Sequence, residues 1–304
     1  MLQHNNATPI APQRVVIIGA AGFVGSTIAA ELAAQHIPYV GLTRKEVDLL
    51  APDGAARLKS HLKPADSVVF VSAIAPAKTS AQLLANLRMA EAATRAFADV
   101  PPAHLLYISS DAVYADEANP VSEHSALAPS TLHGMMHAAR ELMLRTDCGC
   151  PFTALRPTLI YGAGDPHSGY GPNRFRRQAA DGAPITLFGE GEEKRDHVAV
   201  EDVARLAVLI LQHKSTGALN AVTGVSSSFA DIARMVAVNF APPAVVKFVP
   251  RPGPRPHLTH RYFDTTNCYK AFPDFHYETL SEGLARVHRE VFDPIARRVH
   301  AAAS

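Results

Sequence analysis

Cysteine is scarce in this chain of 304 residues: Cys148, Cys150 and Cys268 are few and odd in number. Cys148-Gly149-Cys150 resembles a redox or metal-binding fragment, but no second pair completes a zinc site, so these read as reduced cytosolic thiols. Long apolar runs are missing too; none reaches the ~18 residues of a membrane-spanning helix. Met1 to Pro12 lacks the basic start and apolar core of a signal peptide and reads as a disordered polar tail. A cytoplasmic location is therefore expected, with no membrane partner. Excess charge is the third absence. Lys and Arg number 29 against 28 Asp and Glu, a formal net charge of +1, so nothing draws the chain toward nucleic acid. The composition is otherwise 47% hydrophobic and 19% charged. That is ordinary for a globular protein with a sizeable core, and the length suits one large α/β domain or a domain with a lobe.

What is present begins at Val15-Val16-Ile17-Ile18, an apolar, β-branched run that reads as a strand buried on both faces. Gly19, Gly22 and Gly25 follow at once, and Ser26 to Gln35 carries apolar residues at helical spacing. Strand, glycine turn and helix together are the layout of a dinucleotide-binding βαβ unit. The first glycine makes the tight turn, the second lets backbone approach a pyrophosphate, and the third lets helix pack on strand. Gly22, Phe23, Val24 and Gly25 would bring the helix N-terminus, with its free N–H groups, onto the phosphates.

Further strands are expected at Tyr39–Leu42, Ser67–Ser72, Leu105–Ser110 and Phe152–Pro157, alternating with helices, which implies a parallel, doubly wound Rossmann-type sheet. An acidic residue at the end of the second strand selects NAD, whereas an Arg accommodates a 2′-phosphate. Thr43 stands at the acidic position and Arg44 follows it, so NADP(H) is favoured over NAD(H). Asp48 and Leu49 are placed near the adenine. Small residues at Ser72, Ala73 and Ile74 would let a cofactor lie close. Residues 13–165 read as the NAD(P)-binding domain and 166–304 as mainly a smaller substrate lobe, with segments near 198–224 returning to the sheet. Ala163 to Asn173 is loop-like, and Val249 to Pro256 holds four prolines and no regular element.

Taken together, the Gly19/Gly22/Gly25 turn, Asn86 on its helix, Tyr107-Ile108-Ser109-Ser110-Asp111-Ala112-Val113-Tyr114, Leu155-Arg156-Pro157-Thr158-Leu159-Ile160-Tyr161-Gly162, Leu187 to Gly191 and Arg195-Asp196-His197 to Ala204 resemble an extended short-chain dehydrogenase/reductase of the epimerase/dehydratase superfamily, whose members act mostly on nucleotide sugars. The resemblance runs from about Arg14 to Arg289. It implies that Asn86 and Ser109 border the cofactor, that Ser110 bonds the reacting sugar oxygen, and that Pro157, Thr158 and Leu159 line the nicotinamide. It also implies that Arg195 pairs with a nucleotide diphosphate, with Asp111, Ala112 and Asn173 nearby and a later Arg, here taken as Arg255, assisting. Family members often dimerise through the helices carrying Asn86 and His133, and a homodimer is expected.

The chain departs from the family at its catalytic pair. Tyr-x-x-x-Lys has become His133-x-x-x-His137, with register kept by Gly134 and Glu141. Residues at i and i+4 share one helix face, so both rings can enter one site. His133 can exchange a proton near neutral pH, where free imidazole titrates at about 6.5, so it is expected to act as the acid/base with a rate that changes near pH ~6 to 7. His137 would approach the nicotinamide ribose. Metal is not expected: the spacing suits a ligand pair, but the Glu of the metalloprotease pattern is Gly134. The position after Asp111 is Ala112 where family dehydratases carry a second acid, which leaves an epimerase or a ketosugar reductase. A protein that binds NADP(H) without turnover is the alternative.

Overall fold

The computed structural model describes residues 2–116, 119–167, 169–253 and 258–293. The strands are β1 (Val15–Ile18), β2 (Tyr39–Leu42), β3 (Ser67–Phe70), β4 (His104–Ile108), β5 (Phe152–Pro157), β6 (Leu159–Tyr161), β7 (Ile185–Phe188), β8 (Lys194–Ala199), β9 (Gly217–Ala221), β10 (Ser226–Ser228) and β11 (Val246–Val249). The helices are α1 (Phe23–Ala34), α2 (Gly54–His61), α3 (Ser80–Asp99), α4 (Leu132–Asp147), α5 (Pro172–Ala180), α6 (Val200–Gln212), α7 (Phe229–Ala237), α8 (Thr266–Ala271) and α9 (Leu280–Phe292).

Six strands form one sheet in the order β2-β1-β3-β4-β5-β9, and every pair in it is parallel. A parallel sheet must be covered on both faces. One face buries Val15, Ile17, Val69 and Leu106 against α1 and α6; the other buries Val16, Val68, Phe70 and Leu105 against α2, α3 and α4. This is why β1, β3 and β4 read as continuous apolar runs. The sheet reverses direction of winding between β1 and β3, the switch point outside which ligands bind.

The remaining strands make two small sheets, β10-β8-β6 and β11-β7. They pack with α5, α7 and α9 around Phe175, Leu187, Phe229 and Ile232. β9 lies between these segments in sequence, yet pairs with β5 in the main sheet.

The N-terminal segment corrects the expectation of a disordered tail. Gln3 bridges antiparallel to Thr216, and the N–H groups of Asn5 and Asn6 donate to the carbonyl of His213. The His4 ring stacks on His213 at 4.2 Å and bonds Ser215 Oγ at 2.8 Å and the Ala271 carbonyl at 3.0 Å. A polar composition concealed this anchoring because backbone groups, the His4 and His213 rings and the Asn6 amide supply it.

Candidate functional site

Gly19 ends β1 with φ +102, and a Cβ there would meet Ser72 N at 2.7 Å. A Cβ on Gly25 would collide with the Gly19 carbonyl. The two glycines let β1, the β3 end and α1 converge. α1 begins at Phe23 with no side-chain cap and no acidic residue in its first turn, so its first N–H groups are open to an anion. This cradle, which any side chain would fill, fits a dinucleotide pyrophosphate.

At the end of β2, the Thr43 hydroxyl and N–H both donate to Glu46, at 2.5 and 2.8 Å. The Arg44 side chain is 82% exposed and pairs with Asp48 at 3.1 Å. Two expected adenine contacts change role here. Asp48 is engaged by Arg44 and the Leu50 N–H, and Leu49 is buried in the core beside Val47 and Leu58. Asn86 is also fully buried. It accepts from the Ile74 N–H at 2.9 Å and donates to the Ile74 carbonyl at 3.0 Å, so it holds the Ser72–Ile74 loop in place and has no free edge for a cofactor. Ala73 and Ile74 are exposed at the rim, and Ser72 is half-buried.

The Ser109 hydroxyl, expected to border the cofactor, donates to Glu141 at 2.5 Å. Glu141 receives Arg156 through two bonds of 2.9 and 2.6 Å. Arg156 also donates to Tyr114, whose hydroxyl donates to Asn220. This buried network ties α4 to β4 and β5. Thr158 is buried and donates to the Asp196 carbonyl, Pro157 is buried at the end of β5, and Leu159 is exposed.

Ser110 accepts from the Ala112 N–H at 3.1 Å and opens a short 3₁₀ turn at Asp111–Val113. Thr131 caps α4 by accepting from the Gly134 N–H. A Cβ on Gly134 would overlap the Ala112 carbonyl and approach Pro129 Cβ to 2.8 Å. Gly134 therefore lets the first turn of α4 sit directly on the Ser110 turn, with His133 on that turn. His133 is half-buried, and its ring meets His137 edge-on at 4.7 Å. His137 Nδ1 lies 2.7 Å from the Tyr107 hydroxyl. Burial pulls the His133 pKa below 6.5, aided by His167. Burial, His133 and Arg140 pull His137 well below it. Burial therefore favours the neutral form of both rings.

A cavity of roughly 670 Å³ lies between the Asp111–Ala112 turn and the second lobe, with Tyr170, Phe229, Arg195 and Arg251 among its walls. Arg195 reaches this wall, but its two terminal nitrogens donate to the carbonyls of Lys194, Leu258 and Thr259. Glu193 lies 3.6 Å from Arg195 and pairs with Arg251 at 2.6 Å. Arg261 bonds the Asp111 carbonyl and Asp116. Burial raises the Asp111 pKa. The expected substrate residue Asn173 is not at the cavity: its amide donates to Asp165 at 2.5 Å. Arg255 lies outside the described residues. Among the described residues, no three His, Cys, Asp or Glu side chains are gathered to hold a metal, and no helix is long and apolar enough to cross a membrane.

Sequence reasoning missed Tyr107, Arg140 and Glu193. In sequence, Tyr107 lies inside an apolar strand run and Arg140 on a helix, and nothing local marks either as part of a buried polar pair. The strand β8 was also missed, because its Lys-Arg-Asp-His start is polar.

Several known proteins share this architecture. A Bacillus subtilis protein described as an uncharacterized UDP-glucose epimerase is 23% identical over 230 residues, 65% of this chain and 72% of that one. The dTDP-4-dehydro-6-deoxy-D-allose reductase of Streptomyces bikiniensis is 24% identical over 92% of this chain and 96% of its own. The structure of a GDP-L-fucose synthetase from Naegleria fowleri bound to NADP superposes with a TM-score of 0.82, covering 95% of this chain and 97% of that one at 15% identity. The Thermus thermophilus UDP-glucose 4-epimerase in complex with NAD gives 0.76 at 23% identity, covering 92% and 99%. At such identities these structures establish the fold alone. The sequence profile goes further, for it matches residues 15–223, from β1 through the glycine cradle, the Ser110 turn and the His133 helix to just past β9. On that match, the chain belongs to the NAD dependent epimerase/dehydratase family.

Proposed function

We propose that the protein transfers hydride between NADP(H) and a carbon of a nucleotide sugar, as a ketosugar reductase or an epimerase, with His133 as proton donor and acceptor. The observation that carries this reading is the seating of α4 on the Ser110 turn through Gly134: Asp111 and Ala112, next to Ser110, and Thr131, two residues before His133, line the cavity. The relatives named above act on UDP-, dTDP- and GDP-sugars by their descriptions. The nicotinamide would supply or accept the hydride. His133 would donate the proton to the sugar oxygen on reduction and take it on oxidation, while Ser110 holds that oxygen. The cavity is large enough for a ligand of this class. Arg251 and Arg195 stand on its wall for the diphosphate, where they would have to exchange Glu193 and backbone carbonyls for phosphate oxygens.

NADP(H) is favoured because Arg44 projects from the β2 end into solvent with only Asp48 to leave. Arg44→Ala should erase a calorimetric preference for NADPH over NADH. Exposed Leu84 on α3 and Met135 and Leu142 on α4 support a homodimer through these helices. The deciding experiment is NADPH oxidation with a panel of nucleotide ketosugars. The parent protein should oxidise NADPH with at least one of them, and His133→Ala should slow it by ~10² or more. Tight NADPH binding with no turnover of any would favour the binding-only alternative, for which the histidine pair in place of Tyr and Lys speaks.

A further inference from the structure

Tyr107 and Arg140 form a buried polar pair that the reaction above does not use. Tyr107 is 1% exposed and Arg140 is 0% exposed. The Arg140 guanidinium faces the Phe70 ring at 4.4 Å and the Tyr107 ring at 5.1 Å. It donates to the Ser72 carbonyl at 2.8 Å, the residue whose N–H packs against Gly19. Among the described residues it has no carboxylate partner. The Tyr107 oxygen therefore has two polar neighbours: the Arg140 cation and His137 Nδ1 at 2.7 Å.

Proton positions follow from what each group can do. Arg has five N–H donors and no acceptor. The phenol stays protonated because burial pushes its pKa up. Its O–H cannot donate to Arg140, so it donates to His137 Nδ1. That nitrogen must present a lone pair, and the single proton of a neutral imidazole sits on Nε2. A doubly protonated His137 would turn a second donor on an oxygen that already faces Arg140. Nε2 has no hydrogen-bond partner among the described residues.

We propose that Tyr107 is a positioning residue that locks His137 as its Nε2–H tautomer, so that His137 presents a fixed N–H donor to a hydroxyl of the cofactor ribose. Arg140 supports the lock by facing the Tyr107 oxygen with donors only. The ribose part rests on the proposed cofactor site; the tautomer does not. A merely structural Tyr107 would fill space between β4 and α4 and leave the imidazole tautomer unspecified.

The test uses the full chain labelled with ¹⁵N-histidine. Long-range proton–nitrogen spectra at pH ~7.5, above the titration of free imidazole, should show one residue as Nε2–H, identified by its loss in His137→Gln. Tyr107→Phe should convert that signal to a tautomer mixture. Calorimetry should show NADPH bound about three- to tenfold more weakly in Tyr107→Phe, the scale of one misaligned hydrogen bond. The same change in a His137→Gln background should have no further effect, because the two side chains act as a unit. An Nδ1–H or doubly protonated His137 in the parent overturns the lock, and this spectrum decides it even if Tyr107→Phe fails to fold. A correct tautomer with unchanged NADPH affinity in Tyr107→Phe overturns the ribose contact. Failure of the parent to bind NADPH removes that contact and the proposed function together, but leaves the tautomer result standing.

Discussion

Glu141 is the place where a single change should cost most. Its carboxylate lies on α4, receives both faces of the Arg156 fork at 2.9 and 2.6 Å, and accepts from Ser109. Both members of the pair are about 95% shielded from solvent, with side-chain exposures of 4% and 5%. Glu141→Met leaves the Arg156 guanidinium buried with Tyr114 alone. Removing one partner of a buried pair costs about 3–5 kcal/mol, because the remaining charge is uncompensated. With a urea slope of about 3 kcal/mol/M, the upper end of the usual range, the midpoint should fall by about 1–1.7 M. The double variant Glu141→Met/Arg156→Met removes both charges. It should recover most of that loss, since apolar replacement of a whole pair is often neutral. Tyr114 then keeps its bond to Asn220. The assay is urea unfolding followed by circular dichroism for parent, both single variants and the double. A single-variant loss under about 1 kcal/mol, the range of an exposed pair, would refute the claim that this pair anchors α4. So would a double variant as unstable as either single one.

Three other outcomes are expected. Gly134→Ala should lower both the melting temperature and turnover, because its methyl group must displace the Ala112 carbonyl and with it the Ser110 turn; a fully active, equally stable variant would separate α4 from that turn. The pH dependence of reduction should follow protonated His133. Its rate should rise as pH falls below about 6.5, and the oxidative direction should be flat above that and lost below; a break on the alkaline side of 7 would contradict the burial that lowers this pKa. Acid should destabilise the fold through His104 and His197, each lowered to about 4 by burial. Their folded pKa values lie below the unfolded value, so the stability they contribute is complete above about pH 6.5 and is lost as pH falls toward 4, up to about 3 kcal/mol per ring. Urea midpoints in steps from pH 7 to 4 check this, and a flat profile would refute it.

The glycine turn, the positions of most main-sheet strands and the histidine pair were legible in the sequence because each depends on local rules, whereas the strand order came only from the structure. Buried parallel strands are apolar throughout, a backbone crossing needs glycine, and i, i+4 residues share a helix face. Gly134 and Glu141 fixed the register of the histidine pair only through the resemblance to the family's pattern. The partner of each polar group was not legible. Ser109, Asn86, Asp48 and Asn173 carry the right chemistry for a ligand, but the fold brings Glu141, Ile74, Arg44 and Asp165 within bonding distance first. The N-terminal segment is polar, yet it is held by backbone bonds to residues more than two hundred positions away. Likewise, Tyr107 and Arg140 differ from ordinary strand and helix residues only once β4 and α4 are packed. Residue type and spacing thus determined the framework and where chemistry could occur. Only tertiary packing, by setting burial and supplying partners, decided which side chains remain free to act and in what protonation state.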